Sequence, residues 1–135
     1  MFELHPRLAA DTVAVADLPL CAVRLMQDAN FPWLILVPRV PDMRELHHLT
    51  PDDRQQLLEE VVRASAVLER LFRPDKLNIG ALGNLVPQLH VHVVARWQTD
   101  SAWPGPVWGS GPARPYDPAE RDELVARLAA ALAED

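Results

Sequence analysis

Two histidines one residue apart, His90 and His92, lie in the run Gln88-Leu89-His90-Val91-His92-Val93-Val94-Ala95-Arg96. Apolar residues at 89, 91, 93 and 95 alternate with the polar ones, the pattern of a strand with one face on a core. Side chains alternate across a strand, so Gln88, His90, His92 and Arg96 are predicted to share the opposite, outward face. Successive members stand roughly 6–7 Å apart, two strand steps. Imidazole titrates near neutral pH and can serve as nucleophile, base or acid. A neutral ring attacking phosphorus forms a covalent intermediate, dividing one displacement into two. The second ring and the Gln88 amide can hold phosphoryl oxygens as charge redistributes. A rigid strand suits such work, because positioning supplies much of the rate.

Upstream runs Asn78-Ile79-Gly80-Ala81-Leu82-Gly83-Asn84-Leu85-Val86-Pro87. The glycines permit tight turning and close backbone approach to a ligand. Asn78 and Asn84 offer uncharged amide donors, and such a loop can hold phosphate oxygens. His-X-His on a strand is also a zinc-ligand geometry, for which a third ligand would have to come from elsewhere in the chain, His47 and His48 being candidates. Trp103 and Trp108 sit in a Pro- and Gly-rich stretch and need burial, either on their own subunit, at a dimer interface or over a pocket rim.

The elements that position these residues are legible as period and punctuation. Leu20–Met26 and Trp33–Val37 read as an antiparallel strand pair joined by a turn over Gln27–Pro32. Thr50-Pro51-Asp52-Asp53 opens a long helix, with a capping threonine, proline at the first helical position and acids at the positive end of the dipole. Leu57, Leu58, Val61, Val62, Ser65, Leu68 and Phe72 follow helical spacing, with Glu59 and Glu60 among the residues of the wet face, and Pro74 ends it. Lys76–Leu82 and Gln88–Trp97 read as two more strands. Asp117-Pro118-Ala119-Glu120 starts a final helix carrying Leu124, Leu128 and Leu132. The order predicts an α+β domain with a largely antiparallel sheet.

The chain has 135 residues, 49% apolar and 24% charged, which fits one domain spanning 1–135 with a Pro/Gly/Trp-rich extension from about residue 101. A net charge of −6 argues against a protein that binds DNA or RNA duplexes, which needs a basic footprint. One cysteine, Cys21, rules out an internal disulfide framework. The N-terminal stretch is polar and broken by Pro6, unlike a signal peptide. Apolar runs such as Trp33–Val37 are far too short to span a bilayer. A cytoplasmic protein with no membrane association is expected.

At this point the residues resemble the histidine-triad (HIT) superfamily of nucleotide hydrolases and transferases. Its signature, His-φ-His-φ-His-φ-φ with φ apolar, is met by Gln88-Leu-His90-Val-His92-Val-Val everywhere except the first position. The resemblance covers roughly residues 15–100, at the scale of a domain. It implies a five-stranded, largely antiparallel sheet with the long helix on one face, a C-terminal helix, and assembly as a homodimer. It implies a nucleotide substrate cleaved at its α-phosphate, with His90 as the nucleophile that becomes nucleotidylated and His92 on the phosphate oxygens. Asn84 and Asn78 fall where the family binds phosphate, and Gln27 or Asp28 where it holds the ribose. The family mechanism requires no metal or cofactor, and none is predicted. Two positions depart from the pattern: Gln88 replaces the first motif histidine, and Trp33 replaces a further histidine usual before the second strand. These departures support an alternative, a nucleotide-binding protein with weak or no catalysis.

Overall fold

The computed structural model describes residues 1–134. Helix α1 (Pro6–Asp11) leads into strand β1 (Thr12–Asp17), followed by β2 (Cys21–Met26) and β3 (Trp33–Pro38). Helix α2 (Pro51–Phe72) follows a short 3-10 turn, then come β4 (Lys76–Gly80), β5 (Val91–Arg96) and α3 (Pro118–Ala133). The strands form one sheet in the order β1-β2-β3-β5-β4. Each neighbouring pair is antiparallel. The fold is α+β, with both longer helices contributing to one core.

The caps act as their residue types require. Thr50 accepts from the amide of Asp53, and Asp117 from that of Glu120, each satisfying a donor that the first turn leaves free. Helix α2 ends on Arg73 in the left-handed region at φ 49°, its amide bonded to the Glu69 carbonyl.

The inner face of α2 differs from the expected one. Leu57, Val61, Ala64, Val67 and Leu68 are buried, whereas Leu58 and Val62 are 61% and 54% exposed. Glu60, assigned to the wet face, is buried. Its carboxylate accepts from the amides of Leu20 and Cys21 at 2.9 and 2.7 Å, and from Gln56 Nε2. It satisfies backbone donors at the entry to β2 that the sheet leaves unpaired, which is why an acid stands on the inner face.

The main core lies between the sheet and the two helices, and draws Val23, Leu25, Leu34, Leu36, Val91 and Val93 from the strands. The other face carries a second cluster: Leu8, Phe31, Trp33, Ile35, Val37, Val86, Val94 and Val107. β3 is therefore buried on both sides, which explains its unbroken apolar run. The expected outward face of β5 is likewise covered, by the 84–87 loop and the segment after residue 100.

Two strands are shorter than predicted. β4 stops at Gly80 and not Leu82, and β5 begins at Val91 and not Gln88. The ten residues between them form a loop, so Gln88 and His90 sit ahead of the strand. Helix α1 and strand β1 had no sequence reading of their own. Six residues with Pro6 at the start are too few to display a period, and Thr12-Val-Ala-Val-Ala-Asp17 alternates only weakly between small side chains.

Candidate active site

His90 and His92 converge. Their rings lie 4.9 Å apart between centroids, at 60°, and both are nearly buried, 6% and 5% exposed. Both line an open cavity of about 500 Å³ together with Asn84 from the 81–90 loop, Asp28 from the β2–β3 turn, and Trp33 and Trp108. Arg7 and Asp11 of α1 lie at the same cavity.

The partners of the two rings define where their protons are. His90 Nδ1 lies 2.6 Å from the backbone carbonyl of Gln88. A carbonyl only accepts, so Nδ1 carries the proton and Nε2 holds a free lone pair. His92 Nδ1 lies 2.9 Å from Trp33 Nε1. An indole nitrogen only donates, so Nδ1 is the acceptor and the ring proton is on Nε2. One ring thus presents a nucleophilic nitrogen and the other an N–H donor.

Both rings are held neutral. Burial lowers the pKa of His92 to about 4, and the neighbouring His90 adds to the shift. Burial also lowers that of His90; its bond to the Gln88 carbonyl opposes this, and His5 reinforces it. A neutral imidazole is the form that can attack an electrophile.

The other residues singled out from sequence divide between this cavity and structural duties. Asn84 and Asp28 are at the cavity. Asp28 Oδ1 is occupied by the amides of Asn30 and Arg114. Gln88 does not join the histidines through its side chain: Oε1 accepts from the His5 amide and Nε2 donates to the Glu3 carbonyl, each at 2.8 Å. It ties down the N-terminal segment, because position 88 precedes the strand and its side chain turns away from the expected face. Asn78 is not at the cavity either; its Oδ1 accepts from Arg96 Nη1 at 2.7 Å. Gln27 Nε2 donates to the Ala10 carbonyl, holding the turn to α1.

Arg96 is a buried anchor. It donates to both oxygens of Asp100 and to the Gly105 carbonyl, and its guanidinium lies over Phe31 and Trp103. Asp100 also accepts from the amides of Trp97, Ala102 and Trp103. This clasp folds the chain back across the histidine face and delivers Trp108 edge-on to His92, 5.3 Å between centroids. The fit is close at Gly80, where a Cβ would stand 3.0 Å from Trp108 Cη2 and press on that ring. His47 and His48 stack on each other, and the amides of Arg44 and Glu45 donate to His48 Nδ1. Among the described residues no group of three or more His, Cys, Asp or Glu side chains is arranged to hold a metal ion, and no helix is long and apolar enough to cross a membrane.

The contributions of Trp33 and of the Arg96–Asp100 clasp were not read from the sequence. Trp33 had a signal in principle: it pairs with Val94, and Ile35 pairs with His92, so Trp33 and His92 are diagonal neighbours on one face. Long aromatic side chains reach across that diagonal.

Two neutral imidazoles, His92 on β5 and His90 just ahead of it, are thus backed by the sheet and by α2. The HIT domain family matches residues 7–99, and the chain belongs to it. Among solved structures it is similar to a histidine triad protein from Bradyrhizobium japonicum, with 46% identity over 97% of this chain and 98% of that one, at a TM-score of 0.95. A histidine triad protein from Marinobacter aquaeolei VT8 gives 48% identity over 98% and 96%, also at 0.95. An AP-4-A phosphorylase from Mycobacterium tuberculosis is 32% identical over 85 residues, 58% of this chain and 44% of that protein. The chain therefore spans less than half the length of this curated relative.

Proposed function

We propose that this protein is a nucleotide hydrolase or transferase acting at the α-phosphate of a dinucleoside polyphosphate or nucleoside phosphoramidate, through a nucleotidyl-histidine on His90. The observation that carries the reading is the bond from His90 Nδ1 to the Gln88 carbonyl, which leaves Nε2 unprotonated at the cavity. In the first step the Nε2 lone pair forms a P–N bond as the bond from phosphorus to the leaving oxygen or nitrogen breaks. The leaving group departs with that electron pair and takes a proton from solvent. The ring gains positive charge, which its Nδ1–H bond to Gln88 stabilises. Water then attacks phosphorus, the P–N bond breaks, the ring recovers its lone pair, and a water proton goes to solvent. The name of the M. tuberculosis relative makes inorganic phosphate a second candidate acceptor. His92 Nε2–H and Asn84 are the donors for phosphoryl oxygens, and Asp28, with one carboxylate oxygen already anchored, is the candidate for the ribose hydroxyls.

The test is product analysis. The protein is mixed with dinucleoside polyphosphates and nucleoside phosphoramidates, with and without inorganic phosphate, and nucleotide products are measured. Wild type should release the nucleoside monophosphate, or the diphosphate when phosphate is the acceptor. His90→Ala should lose turnover while remaining folded. Equal inertness of both proteins across the panel would refute the enzyme reading. The Gln88 amide, occupied by the N-terminal segment, supplies no proton donor to the site, which favours the alternative of binding with little catalysis. Calorimetry showing nucleoside monophosphate binding without turnover would select it.

We also propose a homodimer. β4 is an edge strand, with Ile79 54% exposed, and an apolar groove of about 400 Å³ brings Leu46, Leu58 and Ile79 together beside it. An open edge flanked by exposed apolar side chains fits strand pairing with a second copy. Light scattering should report a dimer for wild type and a monomer for Leu58→Glu combined with Ile79→Lys. A monomeric wild type would refute it.

A further inference from the structure

We propose that Trp33 is a positioning residue: its indole N–H, donated to His92 Nδ1, locks His92 in the Nε2–H tautomer, so that this ring meets its ligand as a neutral hydrogen-bond donor. The role of that donor toward a phosphoryl oxygen rests on the function proposed above; the tautomer itself does not.

Two observations and one chemical rule carry it. The bond is 2.9 Å long and buried, and among the described residues neither atom has a competing hydrogen-bond partner. Trp33 is fixed where it stands, since its ring packs edge-on against Phe31 at 6.3 Å and against Trp108 at 6.3 Å. A free imidazole exchanges its proton between two nitrogens, whereas one whose Nδ1 is occupied by a fixed donor has one neutral form left. Protonating His92 would place a hydrogen on Nδ1 facing the indole N–H, so the same contact disfavours the cation.

Among the described residues no carboxylate hydrogen-bonds the His92 ring. Trp108 of the extension and Trp33 of β3 flank the ring, and Gly80 of β4 pairs with it in the sheet. The titratable and charged groups at the cavity are His90 on the adjoining segment, Asp28 from the β2–β3 turn, and Arg7 and Asp11 from α1. Asp28 is the candidate counter-charge, and its Oδ1 is engaged by two backbone amides. His92 is therefore a donor of a hydrogen bond and not a source of protons: losing the Nε2 proton would leave an imidazolate.

Nitrogen-detected NMR of the labelled full-length protein tests this without reference to turnover. Wild-type His92 should show the shift pattern of a protonated Nε2 and bare Nδ1 at neutral pH, unchanged down to about pH 5. Trp33→Phe keeps an aromatic ring but removes the donor; His92 should then populate both tautomers, and its pKa should rise by about one unit or more. Trp108→Phe, which keeps ring packing against His92 and leaves the indole of Trp33 in place, should leave the tautomer as in wild type. A protonated Nδ1 in wild type, or an unchanged His92 pattern in folded Trp33→Phe, would overturn the proposal. Should Trp33→Phe fail to fold, the wild-type spectrum alone decides. A correct tautomer in a protein inert toward every nucleotide would remove the enzyme reading and leave this assignment standing.

Discussion

Replacing Asp100 by asparagine should uncouple the C-terminal extension from the sheet. The Asp100 carboxylate is buried, and its oxygens receive Arg96 Nε at 2.8 Å, Arg96 Nη2 at 3.0 Å and the amides of Trp97, Ala102 and Trp103 at 2.8–3.0 Å. The Arg96 guanidinium, with help from those amides, holds its carboxyl far below the usual carboxylate range. Asparagine is nearly the same shape but turns one acceptor into a donor. If its oxygen keeps the Oδ1 place, its amide meets Arg96 Nε and the Trp97 amide, two donors. In the other orientation it meets Arg96 Nη2 and the amides of Ala102 and Trp103. Either way a buried guanidinium loses its counter-charge, for which the cost is ~3–5 kcal/mol. With a urea slope of about 1–3 kcal/mol/M, the unfolding midpoint should fall by roughly 1 M or more. Circular dichroism in a urea titration measures this, and limited proteolysis across residues 101–113 reports release of the extension itself. A midpoint within about 0.3 M of wild type, together with unchanged protease resistance, would show that the clasp does not hold the extension down.

Further outcomes follow from other buried groups. Glu60→Leu leaves the amides of Leu20 and Cys21 without their acceptors; at ~1–3 kcal/mol for each buried donor, it should cost about 2–6 kcal/mol by urea titration, and Glu60→Gln less. Stability should fall with acidity through His92, whose pKa moves from 6.5 to about 4 on folding. Between those values the unfolded chain binds the proton and the folded one does not. This contribution is intact above the unfolded value and lost as pH falls toward the folded one, by up to ~3 kcal/mol. Urea midpoints measured across that range should drop less steeply in His92→Asn; parallel curves would show that His92 is not the group responsible.

Much of the scaffold was legible because its signals are local. Thr50 before Pro51 and paired acids marks a helix start wherever it occurs, and Trp33–Val37 between turn residues can hardly be anything but a buried strand. The alternation over 88–96 pointed to the histidine pair, although only His92 lies within β5 and His90 meets it from the residue just ahead of the strand. What escaped depends on contacts distant in sequence. Glu60 is polar, and only the approach of Leu20 and Cys21, about forty residues away, makes a buried position favourable for it. Asn78 and Gln88 have the right chemistry for phosphate, but Arg96 and the N-terminal segment occupy their amides. Trp33, read from sequence as a lost histidine, is the hydrogen-bond partner of a retained one.

The peptide unit at Gln88 is gripped from two directions: its carbonyl by the His90 ring, its side chain by the backbone at Glu3 and His5. Any change that loosens residues 1–5 would therefore reach the electronic state of an imidazole more than eighty residues downstream. Rates from preparations that differ within residues 1–5 are therefore not directly comparable.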